Sequence, residues 1–285
     1  MQSASRTALA TGREHLEERI AQAGAEDLER LGTELGTIAA VLGEQTVLRR
    51  HLADSSAPAA GRRAMAEGLL HSKASRLAIE TISEAVALRW SRPLDLVDGV
   101  EELARQALLA LAERDDSLSD VEDELFRFGR SLAAEPRLAV LLGDESAPVA
   151  RRLELLDTVL AGRARPVTRL LLEQAVRAPR RRHLDEIVEE LVERAAARRE
   201  RSVAHVSAGG PLSDQQEQRL LDALSRVYQR SISLKVELDP ELLGGLVIRV
   251  GDEVIDGSVA GRLEKASQWL PGETMNTRHN ESRDR

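Results

Sequence analysis

The chain has no cysteine and only five aromatic residues, Trp90, Phe126, Phe128, Tyr228 and Trp269. The first absence excludes disulfide scaffolds, thiolate zinc sites and cysteine nucleophiles. The second removes the platforms on which bases or sugar rings stack. No uncharged run reaches the roughly 18 residues a membrane-spanning helix needs. The N-terminus, MQSASRTALATGREHLEER, lacks the apolar stretch of a signal peptide. These absences lead us to expect a protein that is cytoplasmic or peripheral to a membrane, with no direct membrane insertion.

What is present is 285 residues, enough for one large or two ordinary domains, rich in Ala, Leu, Arg and Glu. That is the composition of packed helices. Forty Lys and Arg stand against 48 Asp and Glu, a net charge of −8 that argues against a nucleic-acid partner. Arginine is nevertheless clustered, at Arg151-Arg152, at Arg180-Arg181-Arg182 and at Arg198, Arg199 and Arg201. Such clusters read either as a basic patch or as solvated helix faces on which Arg alternates with Glu, and the second reading is favoured.

Shifting the sequence by ninety residues exposes an internal repeat. Ser56-Ala57-Pro58 falls on Ser146-Ala147-Pro148, and Leu28, Leu35, Leu42, Leu48 and Leu52 fall on Leu118, Leu125, Leu132, Leu138 and Leu142. Across positions 28–95, 19 of 68 pairs are identical, and the apolar register stays in phase. Each copy reads as several helices. Leu28, Leu31, Leu35, Ile38 and Leu42 make an amphipathic stripe. Ser-Ala-Pro suits a helix start. Helices then follow at 59–71 and 75–90 in the first copy, and at 149–161 and 166–178 in the second. Pro93 and Pro179 read as helix punctuation, 97–114 as a helix linking the copies, and about 183–200 as a longer final helix.

After Arg201 the period changes. Val203–Ser207 is a short strand candidate, and Ser213-Asp214-Gln215-Gln216 is a capping box. Ile232, Leu234, Val236 and Leu238 alternate as a strand with one buried face. Leu246–Val250 and Val254-Ile255 flank Gly251-Asp252-Glu253 as a hairpin. Asp256-Gly257-Ser258 then opens a last helix running to Leu270, and 271–285 reads as a disordered tail. The expected fold is mainly α: a helical N-terminal domain over 1–200, with repeat units at 28–95 and 118–185, and a small α/β domain over 202–270.

The run GGLVIRVGDEVIDGSVAGRLEKASQWL (Gly244–Leu270), preceded by VELDPELL (Val236–Leu243), resembles the C-terminal signature of the F-type ATP synthase δ subunit family. That family is the bacterial counterpart of the mitochondrial oligomycin-sensitivity-conferring protein. VAHVSAGGPLSDQQEQRLLDAL (Val203–Leu224) is similar to the family's strand and following helix start. Arg181–Val206 is similar to the long helix that leads into them. Two departures stand out. Ser5, Thr7, Ala8 and Leu9 occupy a stretch that usually carries Tyr and Phe, and the chain is longer by about one helical repeat, as in some actinobacterial members.

The signature residues read as structural. Gly244 and Gly245 permit unusual backbone or a close approach; Gly251 fits a left-handed turn, and Gly257 with Ser258 a strand-to-helix switch. Asp256 is placed to accept backbone N–H groups, while Asp252 sits in the hairpin turn and Leu263 in the last helix. A phosphate-cradling loop is disfavoured, because the glycines bracket a strand and no Lys-Ser/Thr follows. The six histidines show no metal-ligand spacing, so no catalytic residue, metal or cofactor is expected.

Function then rests on surfaces. The resemblance implies a stator subunit of the proton-translocating ATP synthase, one copy per complex, peripheral to the cytoplasmic side of the cell membrane. Its helical bundle would bind the N-terminal segments of the α subunits, and its C-terminal domain the C-terminal end of the b subunit. Candidate partner-facing residues are Val167, Leu170 and Leu171 in one helix and Trp269 and Leu270 in another, although bundle core and sheet-covering core are the favoured readings of both groups. The alternative is a generic helical adaptor whose C-terminal domain is δ-like.

Overall fold

The computed structural model describes residues 1–201, 203–228, 232–240, 242, 244–251 and 253–259, without the side chain of Arg201. The described chain divides into two units, residues 1–200 and the residues from 201 onward, each with a core of its own.

The first unit is helical throughout. Its elements are α1 (Ser3–Gln22), α2 (Ala25–Glu44), α3 (Thr46–Ala53), α4 (Ala59–Leu70), α5 (Arg76–Ala87) and α6 (Pro93–Arg114). There follow α7 (Leu118–Ala134), α8 (Pro136–Gly143), α9 (Val149–Leu160), α10 (Pro166–Arg177) and α11 (Leu184–Arg201). Three- and four-residue leucine spacing drives these elements. On α2 it buries Leu28, Leu31, Leu35 and Leu42, and on α7 Leu118, Val121, Leu125 and Leu132.

Helix starts recur at the ninety-residue interval. Ser3 of α1 corresponds to Pro93 of α6, Ala59 of α4 to Val149 of α9, and Arg76 of α5 to Pro166 of α10. The correspondence therefore reaches back to α1, and α6 is counted twice: it closes the first copy and opens the second. Eighteen of its 22 residues are buried. Pro93 does not end a helix but begins one, at a position where its missing N–H has no intrahelical partner to lose.

The copies meet at α2, which packs on α6 and α10. Gly32 and Gly36, one turn apart on one face, allow that approach. A Cβ on Gly32 would stand 2.6 Å from Leu108, and one on Gly36 would stand 2.5 Å from the Gln174 amide. That amide donates to the Gly32 carbonyl at 2.9 Å.

Both copies repeat the same polar devices. Asp54 Oδ1 accepts from the Ser56 amide at 2.9 Å and its hydroxyl at 2.6 Å, and Asp144 does so from Ser146 at the same distances. Buried Arg62 donates to the carbonyls of Val86, Ala87 and Leu88 at the end of α5. Its counterpart Arg152 donates to Val176 at the end of α10. Glu34 accepts from the amide and hydroxyl of Ser75, capping α5 from α2. Glu124 does the same for α10 through the Arg165 amide and the Thr168 hydroxyl. These bonds satisfy helix-end groups that have no partner within the helix.

The second unit contains β1 (Val203–Ala208), α12 (Asp214–Tyr228), β2 (Ser233–Leu238), β3 (Leu246–Val250) and β4 (Glu253–Asp256). The sheet order is β2-β1-β3-β4, with β1 parallel to β2 and antiparallel to β3, and β4 antiparallel to β3. The parallel pair needs a crossover, and α12 provides it. Ser213 and Gln216 cap that helix reciprocally, the Ser213 amide donating to Gln216 Oε1 at 2.9 Å and the Gln216 amide to Ser213 Oγ at 3.4 Å. Ala204, Val206, Leu224, Ile232, Ile248 and Val250 form the core. On β2 the alternation stops one residue early: Ile232 is buried and Leu234 and Val236 half-buried, but Leu238 is 61% exposed.

Candidate interaction surfaces

Within the apolar interior of the helical unit, buried charges line α6. Glu102 Oε1 accepts from Arg13 of α1 at 2.6 Å and from Gln106 at 3.0 Å, while its Oε2 accepts from Arg194 of α11. Arg198 of α11, 1% exposed, donates to Glu113 at 2.6 Å, to Glu17 at 2.9 Å and to Gln106 at 3.2 Å. Glu101 pairs with Arg105 and Arg180, and with Arg182 at 3.1 Å; Arg182 also reaches Glu190 at 3.0 Å.

Burial would raise the Glu102 carboxyl, but Arg194 and Arg13 outweigh it and hold it at about 2. Burial, together with Arg194 and Arg182, lowers Arg105 to about 10. For Arg198 burial is overcome by Glu113 and Glu17, so its pKa is raised. Each ion is retained because its partners lie within hydrogen-bond reach; an unpaired one would be driven neutral or expelled. The arginines at 180, 182 and 198 thus form neither a basic patch nor a solvated face. They are half-buried or buried ligands of acids that lie some eighty or more residues away in sequence.

Of the candidate partner-facing residues, Val167 and Leu171 lie in the core. The reason is that α10 is enclosed by α2, α6, α7 and α9. Leu170 is half-buried and packs against that core. Trp269, Leu270 and Leu263 lie outside the described residues, as does Asp252. Phe126, on α7 at the position equivalent to Gly36, is 55% exposed.

The signature glycines make a backbone crossing. Gly244 and Gly245 have φ of 145° and 85°. A Cβ on Gly245 would stand 2.5 Å from the Gly257 carbonyl and 2.8 Å from Ser258 Cα. Across this contact Gly257 N–H donates to the Leu246 carbonyl at 2.9 Å and Val259 N–H to the Gly244 carbonyl at 3.0 Å. Gly251, in the β3–β4 turn, has φ of 58°. Asp256 Oδ1 accepts the Ser258 N–H at 2.9 Å. The crossing leaves no room for side chains at its centre, which is the physical reason for glycine there.

Among the described residues no group of three or more His, Asp or Glu is placed to hold a metal, and no helix is long and apolar enough to cross a membrane. The fold defines a helical repeat bundle joined to a small α/β module.

The particular family is shown by comparison. The sequence model of the ATP synthase delta (OSCP) subunit family matches residues 105–270. "ATP synthase subunit delta" of Streptomyces griseus is 42% identical over 272 residues, which cover 95% of this chain and 100% of that one. The chain belongs to this family. "ATP synthase subunit b-delta" of Mycobacterium sp. (strain KMS) is 45% identical over 271 residues, 95% of this chain but only 61% of that longer protein. A chain from the "Cryo-EM structure of Toxoplasma gondii mitochondrial ATP synthase hexamer" aligns at 22% identity with a TM-score of 0.29, over 59% of this chain and 96% of that chain.

Proposed function

We propose that the protein is a non-catalytic stator subunit of the proton-translocating ATP synthase. It would tie the N-terminal segments of the α subunits in the catalytic head to the C-terminal end of the b subunit, in one copy per complex at the cytoplasmic side of the cell membrane. The observation that carries this reading is family membership across both units: the matched residues 105–270 begin within α6 and run through the sheet. Holding two assemblies against torque asks for partner faces and slow dissociation, and two contact zones on one chain add avidity.

The repeat suggests where a partner helix is received. In the second copy α2 lies against α6 and α10. The equivalent pair in the first copy is α1 with α5, bridged by Glu84, which pairs with Arg19 and, at 3.1 Å, with His15. We place the head contact on that pair, with a partner helix occupying the position that α2 takes on the second copy.

Deletion of the gene should detach the catalytic head from membranes, measured as ATPase activity lost to the soluble fraction; a head that stays attached overturns the reading. Removing 202–285 should abolish b-subunit binding and spare head binding in pull-downs. Loss of both from a still-helical protein would refute the two-zone arrangement.

A further inference from the structure

The two helical copies share several buried devices, and one of the places where they differ is a cleft on the surface. A cleft of about 800 Å³ lies between α3 of the first copy and the turns after α8 and α10 of the second. Its lining includes five arginines, at positions 49, 152, 177, 180 and 181, against two acids, Glu44 and Glu145. Arg180 is engaged by Asp98 and Glu101, and Arg177 reaches Glu173 at 3.6 Å.

The other three make no ion pair within 4 Å among the described residues, although Arg152 lies near enough to Asp144 to add to the lowering of its pKa by Ser146. Arg49 holds the carbonyls of Leu42 and Gly43 and the Thr46 hydroxyl. Arg152 holds the Val176 carbonyl, and its buried Nε has no partner. Arg181 is exposed, and only its backbone N–H is engaged, by Glu145 at 2.7 Å. A chain of net charge −8 thus keeps a cationic cleft.

Divergence between the copies built it. Where the first copy has Ala87, Trp90 and Ser91, the second has Arg177, Arg180 and Arg181. Along the rim, Ala4, Arg50 and Ala59 are replaced by Leu94, Val140 and Val149. These three aliphatic side chains are exposed, Val140 by 69%. Leu94 and Val149 line the cleft, and Val140 lines the adjoining hollow, which shares Glu145 and Arg181 with it. Exchanging Arg for exposed Val does nothing for the core. It does create an apolar strip beside the cations. Arg180 and Arg181 are held at φ of 52° and 61°, a strain that persists where surroundings over-determine it, as at ligand clamps.

We propose that this cleft is a docking site for an acidic amphipathic helix of a partner protein. Carboxylates of that helix pair with Arg49, Arg177 and Arg181, and its apolar stripe covers Leu94, Val140 and Val149. A nucleic acid is disfavoured, because no aromatic residue lines the cleft and the chain as a whole repels polyanions. A lipid headgroup would leave the aliphatic rim unused. The proposal goes beyond the stator reading and does not depend on it.

The test titrates the full chain with a fluorescent helical peptide carrying leucines on one face and glutamates on the other. Its counterpart carries lysine for every glutamate. The glutamate peptide should bind at least about tenfold tighter, with an affinity that falls as salt rises. Restoring the first copy's residues at two exposed positions, Arg177→Ala with Arg181→Ser, should weaken that binding about tenfold while leaving the melting temperature unchanged. Val140→Ser should weaken it a few-fold. Equal affinity for the two peptides, or an unaffected double variant, overturns the proposal. So does binding of phosphatidylglycerol vesicles, but not the peptide, that is lost in the same double variant; that outcome assigns the cleft to a membrane surface.

Discussion

Arg62 and Arg152 stand ninety residues apart and each binds the carbonyls that end a neighbouring helix, whereas Trp90 and Arg180, also ninety apart, share nothing. Buried Trp90 donates to the Ala85 carbonyl at 2.8 Å and fills the space over Gly99, where a Cβ would stand 2.3 Å from its ring. Arg180 instead turns the same place in the second copy into an ion site for Asp98 and Glu101. The copies agree where a helix end must be satisfied and disagree where a buried ring in one is replaced by an ion pair in the other.

The largest effect bears on whether the two copies are separate at all. Arg198→Met removes a buried guanidinium that binds Glu17, Glu113 and Gln106 and should cost about 3–5 kcal/mol. Because α6 belongs to both copies, the helical unit should still unfold in one transition; a first copy that melts apart from the second would show them to be independent.

Next in size is a pH effect centred on α6. The Glu102 carboxyl is held at about 2, below its usual value of 4.5. Its contribution is therefore present above about pH 4.5 and is lost as pH falls towards 2, roughly 3 kcal/mol in all. The stability gap between the native chain and Glu102→Gln should narrow over that window, as followed by urea midpoints. A constant gap would mean that the carboxylate titrates alike in folded and unfolded chains.

The smallest effect compares the paired arginines directly. Arg62→Ala removes bonds to three carbonyls and Arg152→Ala a bond to one. Both should destabilise, Arg62→Ala by about 1 kcal/mol more. Equal losses would mean that burial of the side chain, and not the count of carbonyls, sets the cost.

Most of the helices were legible, because leucine spacing and Ser-Ala-Pro starts are local signals. The sheet was legible from the change of period, and the signature glycines from their spacing around a strand. The burial of α10 was legible as well: apolar character around most of its circumference favours bundle core for Val167 and Leu171, and both are buried. Two things were not. Residues 97–114 read as a Leu- and Ala-rich linking helix, with nothing to show that Glu101, Glu102, Arg105 and Glu113 are buried within it. Burial of a charge depends on partners such as Arg194 and Arg198, which local patterning cannot pair with it. The cleft left still less trace: its arginines come from α3, α9, the end of α10 and the turn after it, and only the difference between the copies at positions 87, 90 and 91 hints at it.

The double membership of α6 also sets an order of events during synthesis. Glu113 precedes its cation Arg198 by 85 residues. At roughly 5–20 residues per second, the carboxylate leaves the ribosome about 4–17 s before the guanidinium that will neutralise it. Through that interval the first five helices can gather around α6, but one side of it stays wet and charged. Closure waits for α11, the last helix of the unit to be made.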